Sequence, residues 1–492
     1  MLLLLLLSPT TTTVAAAATA VVGPGVREAF SDDTNHNGNN KNDGPPPAAN
    51  VKVLVLLNGD GIQQAAGHAI SNDDTTMDLS KLHAAQASVA ERLQSIATGP
   101  AAAAHVTVQY QTLPAMAVTL HSEAALDTLL NHEAVEQVDL DEEMVASSRM
   151  DGSSSSSEAT EEGGNYLRAS SNNNKPKSNN DNDDIHRPML DDASSIINSH
   201  QRLSAGNRGA GVTVAIVDTG CDVGHPDIGP AITDESCFLQ PGECPNGSGQ
   251  QVGPGSSQDD HGHGTHVAGI VTSDGTNGEG PRGIAPDASI ICVKALNAAG
   301  SGFPSTIVAG LEWLLTNFLG GPNNNKLQLI NMSLGGSTLY TGDCDNAGVT
   351  ERLYAAVISR LRAAGILTLA AAGNNGNDNG MSTPACVSDA FAVGASDNFD
   401  VAASFTNSNA NTRVMAPGVD IEASNLGGGS TVKSGTSMAT PVTAGCAALL
   451  LQSGDATTPD EIAARLEQAN TVVPHGSFNF PRVNCKPNPE AV

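Results

Sequence analysis

The 492-residue chain carries a formal net charge of −29 at neutral pH and is 39% hydrophobic but only 3% aromatic, with 51 glycines and eight cysteines. That length exceeds what one compact core usually needs, so two folded domains joined by less ordered segments are expected, and the glycine content favours a turn-rich α/β protein over a helical bundle. Acidity in both halves repels phosphate backbones and anionic bilayers, so neither a nucleic-acid partner nor a stable membrane association is expected.

Residues 1–20 are uncharged and end in Ala18-Thr19-Ala20, a small-residue pattern of the kind signal peptidase cuts. They read as a secretory signal and predict an extracellular protein. A run of about 20 uncharged residues could also serve as a membrane anchor, an alternative that Pro9 and the polar Thr10 to Thr13 oppose. Residues 21–50, rich in Asn, Asp, Gly and Pro, are expected to be disordered. Order resumes with VKVLVLL at Val51, followed by a helical pattern over Leu79 to Ile96, strands HVTVQYQTL and AMAVTL, the helical SEAALDTLLNH, and a closing strand AVEQVDL. This β-α-β-β-α-β order predicts a small ferredoxin-like α+β domain over 51–145. Residues 146–190 then form an acidic Ser/Asn-rich linker that cannot bury enough apolar surface to order itself.

Beyond the linker, apolar strands at 212, 289, 327, 366 and 390 alternate with helical stretches at 263–272, 304–319, 347–364 and 436–453. Continuous apolar strands separated by helices predict a doubly wound parallel α/β sheet over 191–475, with 476–492 left as a C-terminal tail. None of the eight cysteines forms a CxxC pair, and export makes disulfides their natural use. Cys237 and Cys244 bracket a Pro/Gly loop they could close. Cys292 and Cys446, set in apolar runs, read as buried free thiols.

A serine nucleophile needs a base for its proton and an acid to hold that base in the right tautomer. Asp218 ends the strand VAIVD, while His263 and Ser437 each begin a helix, in HGHGTHVAG and SGTSMATP. These are the places where an open parallel sheet displays functional side chains. Other chemistries fit less well. The DTG tripeptide occurs once, whereas an aspartic protease needs two carboxylates sharing a proton. The His261, His263, His266 cluster lacks the HEXXH spacing of a zinc hydrolase. His261 and His266 therefore read as structural or surface residues and His225 as a loop residue.

The segments VDTG, HGTHVAG, AAGN and GTSMATP, in this order, resemble the signature set of the subtilisin family of serine proteases, over about residues 195 to 475. The resemblance implies a serine-type endopeptidase acting on polypeptides through an acyl-enzyme. It makes Ser437 the nucleophile, His263 the general base and acid, Asp218 the residue orienting the imidazole, and Asn374 an oxyanion donor beside the Ser437 backbone N–H. Ser333, Leu334, Gly335 and Gly336 would form the edge strand that pairs with substrate, with Ala372 and Gly373 on the opposite wall. Small residues there imply a roomy slot and a preference for an apolar side chain before the cut.

No cofactor is implied for the chemistry. A structural calcium is implied at Asp227, with loop carbonyls of Ser273 to Gly278 as co-ligands. The resemblance also pairs Cys344 with Cys386. Residues 51–145 resemble the family's inhibitor propeptide in LPAMAVTL and HEAVEQVDLDEE. They imply a monomeric zymogen whose tail enters the cleft as a bound product and which processes itself between about residues 143 and 190. Val442 departs from the family's His at that position, a change expected to alter packing. A silent, protease-like binding protein held by its own N-terminal domain is the alternative reading.

Overall fold

The computed structural model describes residues 20–30, 50–57, 79–94, 104–147, 190–277, 280–318, 327–469 and 471–487. Residues 1–19 of the signal-like segment and 148–189 of the linker expected over 146–190 lie outside the described residues; at the linker's two ends, Ala146 closes a strand and Leu190 opens a helix. Among the described residues, no helix is long and apolar enough to cross a membrane.

The small domain is built from strands Val21–Val22 (β1) and Val51–Leu57 (β2), helix Leu79–Gln94 (α1), strands Ala104–Gln109 (β3) and Ala115–Leu120 (β4), helix Glu123–Leu130 (α2) and strand Val135–Leu140 (β5). Its sheet has the order β1-β5-β2-β4-β3, with β2 antiparallel to both β4 and β5. The period of two along a strand sorts the apolar run of β2 between two cores. Val53, Val55 and Leu57 join Leu82, Val89 and Leu126 under the two helices, while Leu54 and Leu56 pack into a core shared with the large domain. Burial on both faces explains why this strand is apolar without alternation.

The disorder expected over 21–50 does not hold for residues 21–30. β1 adds in parallel to the free edge of β5, and Val26 is fully buried in the small core. Arg27 reaches Glu123 at 2.9 Å and Asp127 at 3.0 Å on α2. Three valines and Phe30, diluted by polar neighbours, suffice because an unpaired strand edge is available to them.

The large domain begins with the short helices Leu190–Ile196 (α3) and Ser199–Ser204 (α4). Its main strands are Thr213–Asp218 (β7), Ile232–Phe238 (β8), Gln250–Val252 (β9), Ser289–Lys294 (β10), Leu329–Met332 (β12), Leu367–Ala371 (β15), Phe391–Ser396 (β17) and Val414–Pro417 (β18). They form one eight-stranded sheet in the order β18-β17-β15-β12-β7-β10-β8-β9, parallel except at its β9 edge. Helices His263–Thr272 (α5), Pro304–Phe318 (α6), Val349–Ala363 (α7) and Thr436–Ser453 (α8) cover its faces, and Pro459–Leu466 (α9) packs beside α8. From Thr436 to Leu450, α8 is buried on every side, Val442 included, as expected of a helix apolar all round. The doubly wound α/β class read from the sequence is the observed one.

The smaller pieces complete the cleft. Met144–Ala146 (β6) follows β5, and Ser301–Gly302 (β11) and Leu334–Gly335 (β13) flank it. Leu339–Tyr340 (β14) pairs with Met381–Ser382 (β16), and Ile421–Ser424 (β19) pairs with Ser430–Lys433 (β20). A final hairpin, Val472–His475 (β21) and Phe478–Pro481 (β22), extends ordered structure beyond residue 475.

Two expectations are corrected at the cysteines. All eight are paired, as Cys221–Cys292, Cys237–Cys244, Cys344–Cys386 and Cys446–Cys485. Cys292 and Cys446 are therefore not free thiols. Their apolar surroundings are real, but each meets a partner that is also fully buried. The segment assigned as a tail from 476 belongs to the large domain as far as Cys485, whose backbone N–H also donates to Ile197 O at 2.8 Å.

The small domain rests its sheet on α6 and α7. Asp139 accepts the Val349 N–H at 2.6 Å, at the start of α7. Asp141 accepts from Ser305 in the first turn of α6. In the reverse direction, Glu312 on α6 accepts the N–H groups of Gln111 and Thr112 at 2.7 and 2.6 Å. Each domain thus satisfies orphan donors of the other.

Candidate active site

One strand end and two helix starts converge at the carboxyl edge of β7. Asp218, the last residue of β7, presents Oδ1 to His263 Nδ1 at 2.7 Å, both side chains being fully buried. The turn after Asp218 is shaped by glycine: at Gly220, φ is +106° and a Cβ would lie 2.2 Å from Ser257 O. Gly264 has a similar constraint, since a Cβ there would lie 2.0 Å from Gly220 O. These two contacts explain the glycines of VDTG and HGTH.

The start of α5 is organised by Asp259, which the sequence reading did not single out. Its Oδ1 accepts the N–H groups of His261 and Gly262, both at 2.9 Å, and its Oδ2 accepts Thr265 N at 3.0 Å and Thr265 Oγ1 at 2.6 Å. Thr219 joins the two turns: its hydroxyl donates to Asp259 Oδ1 at 2.9 Å and accepts Gly264 N–H at 2.8 Å. Lys294, fully buried at the end of β10, donates to Thr219 O at 2.7 Å and Asp260 Oδ1 at 2.6 Å. No local motif marks these residues, because their partners are remote in sequence.

Ser437 lies in the first turn of α8. Pro441, four residues on, has no N–H to offer the Ser437 carbonyl, and Ser333 Oγ donates to it instead at 2.9 Å. The Ser437 hydroxyl donates to Ser333 O at 3.0 Å. His263 Nε2 is buried with no hydrogen-bond partner. Asn374 is held by its own oxygen, which accepts Thr436 N at 2.9 Å and Thr436 Oγ1 at 3.0 Å. That leaves its amide N–H groups facing the cleft.

The cleft contains a segment of the chain itself. β6 lies antiparallel between β11 and β13, with Val145 opposite both Ser301 and Gly335. Ala146 N donates to Gly300 O at 2.8 Å and Ser147 N to Ser333 O at 3.1 Å. The carbonyl of Ser147 then accepts Asn374 Nδ2 at 2.5 Å and the backbone N–H of Ser437 at 3.4 Å. One carbonyl oxygen is thereby gripped by a side-chain amide and a helix N-terminus, an arrangement that stabilises negative charge on that oxygen.

Asp218, His263, Ser437 and Asn374 are thus brought together, with Ser333 to Gly336 along the bound strand. Ala372 and Gly373 line the opposite side, but the slot between the walls is not the roomy apolar one expected. Ser382 enters it, because β16 delivers its side chain between Gly335 and Gly373.

His266 is structural: Nε2 donates to Thr431 O at 3.0 Å, and burial above all pushes its pKa down to about 3, so it stays neutral. His225 is a buried loop residue whose Nδ1 accepts Asp227 N–H at 3.2 Å. His261 is neither core nor remote. Its ring centroid is 6.3 Å from that of His263, and burial together with that neighbour lowers its pKa. Asp227 Oδ1 accepts Asn277 Nδ2 at 2.8 Å, while its Oδ2 is buried without a partner. Among the described residues, no group of three His, Cys, Asp or Glu is placed to hold a metal.

Fold and site together define a subtilase: residues 209–481 match the Subtilase family, and the chain belongs to it. It is 36% identical over 271 residues to subtilisin E of Bacillus subtilis (strain 168), a match covering 54% of this chain and 62% of that protein. It is 37% identical over 287 residues to subtilisin Savinase of Lederbergia lenta, covering 58% of this chain and 93% of the relative. Against the subtilisin of Bacillus pumilus it is 35% identical over 271 residues, covering 54% and 86%.

Proposed function

We propose that this chain is a secreted serine endopeptidase made as a precursor that cuts itself between Ser147 and Ser148. The observation that carries this is the Ser147 carbonyl, held by Asn374 and the Ser437 N–H at the end of an antiparallel strand. A carbonyl so polarised next to a serine hydroxyl is in the position of the acyl group of a substrate.

In this reading the Ser437 hydroxyl turns about χ1 from Ser333 O to His263 Nε2. Asp218 fixes the proton on Nδ1, leaving Nε2 as the base. Ser437 Oγ bonds to the Ser147 carbonyl carbon as its proton passes to Nε2, and the negative oxygen stays on Asn374 and the Ser437 N–H. The tetrahedral adduct then expels the Ser148 nitrogen, which takes the proton from His263. Water, deprotonated by the same imidazole, releases Ser147 as a carboxylate.

After the cut, residues 144–147 remain in the cleft as product, so the small domain acts as a tethered inhibitor until it leaves. No cofactor enters these steps. A structural calcium remains part of the proposal, at Asp227: its buried, unpartnered Oδ2 and the carbonyls of the 273–277 loop are the hard oxygen donors that calcium takes. Raised thermal stability with calcium over EDTA, absent in Asp227→Asn, tests that part. For the main proposal, wild type and Ser437→Ala precursors are incubated and their N-termini mapped. A new terminus at Ser148 in wild type alone is expected; an intact wild-type chain, or cutting of both proteins, overturns it.

A further inference from the structure

Asparagine followed two residues later by serine or threonine occurs twice in the chain, at Asn246-Gly247-Ser248 and Asn331-Met332-Ser333. In a chain that enters the secretory pathway this spacing marks an acceptor for N-linked sugar, provided that the asparagine sits on an accessible loop. The fold separates the two. Asn331 lies in β12, inside the eight-stranded sheet, is fully buried, and donates its amide Nδ2 to Ser333 Oγ at 3.0 Å. A sugar there is incompatible with the sheet and with the cleft, since Ser333 Oγ holds the Ser437 carbonyl. Asn246 is exposed, in the loop that joins β8 to β9 and that the Cys237–Cys244 bridge closes.

The turn at Asn246 is well defined. Gly247 N donates to Cys244 O at 2.7 Å and Cys244 N to Ser248 O at 2.9 Å, which leaves Pro245 and Asn246 at the corner. Asn246 Oδ1 accepts the Ser248 N–H at 2.9 Å and the Ser248 hydroxyl at 2.6 Å, a side-chain turn typical of asparagine. The carbonyl end of the amide is thereby occupied by the serine of the same motif, while Nδ2 donates to no residue among those described. Gly247 has φ of +77°, and nothing lies within 4 Å of a Cβ built on it, so the turn faces solvent.

We propose that Asn246 is an N-glycosylation site and that Asn331 is not. Nδ2 bonds to the anomeric carbon of an oligosaccharide carried on a lipid pyrophosphate, the bond from that carbon to the pyrophosphate oxygen breaks, and the amide gives up one proton as the lipid pyrophosphate leaves. The Asn246 N–H donates to Gln251 Oε1 at 2.9 Å, so the sugar stands beside β9, the antiparallel edge of the large sheet, where Val252 is 54% exposed. Hydrated bulk at that turn opposes pairing of the edge with another chain. This inference rests on the secreted reading above and adds a modification to it.

The Ser437→Ala precursor is produced in a eukaryotic secretory host, once with its own leader and once behind the host's. Glycosidase treatment in heavy-oxygen water then labels each asparagine that carried sugar, and a sample without glycosidase sets the background from spontaneous deamidation. Label at Asn246 and none at Asn331 is expected, with one step in gel mobility that Asn246→Gln and Ser248→Ala abolish and Ser248→Thr keeps. A bare Asn246 in secreted protein overturns the inference, as does a labelled Asn331 in folded protein. If the chain is retained, the same map is read on the membrane-enclosed fraction, where a bare Asn246 overturns it equally. On heating, Asn246→Gln should aggregate sooner than the sugar-bearing protein; equal aggregation contradicts the shielding of β9. Sugar on the chain behind the host leader, with the chain's own leader failing to export it, contradicts the secreted reading and leaves the site standing.

Discussion

Asp141 accepts both the backbone N–H and the hydroxyl of Ser305, at 3.1 and 2.5 Å, so a buried acid of the small domain fills the N-terminus of a large-domain helix. Lys52 lies nearby, over the Phe303 ring at 3.6 Å, and the fully buried Tyr110 donates its hydroxyl to Ser305 O at 3.1 Å. Tyr354 completes the buried surroundings.

This acid makes the docking of the two domains depend on pH. Burial raises the Asp141 pKa from 3.8 to about 6, outweighing the Ser305 hydrogen bonds and Lys52, which pull it down. A docked pKa above the free one means that protonation favours docking. The contribution is full below about pH 4 and is lost as pH rises through about 6, a change of roughly 3 kcal/mol. The single tryptophan, Trp313, sits with Thr107, Val108 and Gln109 around the same groove and reports separation by its fluorescence. In a Ser437→Ala background, which keeps the chain uncut, the urea midpoint for this signal should fall between pH 4 and pH 6.5. Asp141→Asn should flatten that change, and an equally steep profile in the variant contradicts the assignment.

The opposite direction of capping can be tested separately. Glu312, 5% exposed, accepts two backbone N–H groups and the Thr112 hydroxyl, the last at 2.7 Å. Glu312→Ala leaves those donors without partners at the interface and should weaken docking by about 3 kcal/mol. Wild-type precursor is expected to show a lag before activity appears, while the small domain dissociates. In Glu312→Ala that lag should nearly vanish; an unchanged lag means that Glu312 does not hold the domains together.

How much of this was legible in the sequence follows from the range of the interactions. The five apolar strands and four helices announced by their periodicity are observed within a few residues, because burial on both faces of a parallel sheet leaves a continuous signal. Asp218, His263, Asn374 and Ser437 could be found because each sits at a strand end or helix start beside glycines that close backbone contacts require. Ser382, Thr219 and Asp259 could not. Each acts through a partner brought close only by folding, and a serine beside a turn looks alike in any loop. β1 and Cys485 were misplaced for a related reason: the free edge of β5 and the buried Cys446 exist only in three dimensions.

Thr219 supplies a prediction about positioning. Thr219→Val keeps the shape but removes the hydroxyl between Asp259 and Gly264, leaving a buried N–H unpaired. His263 loses part of its frame without any loss of substrate contacts. The expected result is a fall in kcat of about 10- to 100-fold with KM little changed, a cost of roughly 1–3 kcal/mol. Thr219→Ser, which restores the hydroxyl, should recover most of it. A fall confined to thermal stability, with kcat intact, marks a purely structural role.

Cys446 lies in the middle of α8 and ties the segment around Cys485 back to it. The bridge encloses 39 residues of chain separation, for which loop closure predicts a stabilisation of roughly 2–4 kcal/mol. Replacing both cysteines, Cys446→Ala with Cys485→Ser, should lower the unfolding midpoint accordingly. The active-site titre of the surviving folded protein should stay unchanged, since the bridge touches none of the four cleft residues. A lost titre with an unaltered midpoint contradicts this separation of roles.

Asn374 gives the sharpest test of the cleft. Thr436 holds the Asn374 oxygen through two hydrogen bonds, and the amide nitrogen meets the Ser147 carbonyl at 2.5 Å. Asn374→Ala removes one of the two donors to that oxygen and leaves Asp218, His263 and Ser437 untouched. Loss of such a donor costs roughly 3 kcal/mol in the transition state, a value established in subtilisin itself. Self-cutting at Ser147 and cleavage of added peptides should therefore slow together, by about 100- to 1000-fold, with KM nearly constant. Asn374→Asp keeps the size but turns a donor into a negative acceptor facing a developing oxyanion, so it should be at least as slow as alanine. If the aspartate variant cuts at the wild-type rate, the Ser147 carbonyl is not where charge develops, and the strand in the cleft is a bystander to the reaction.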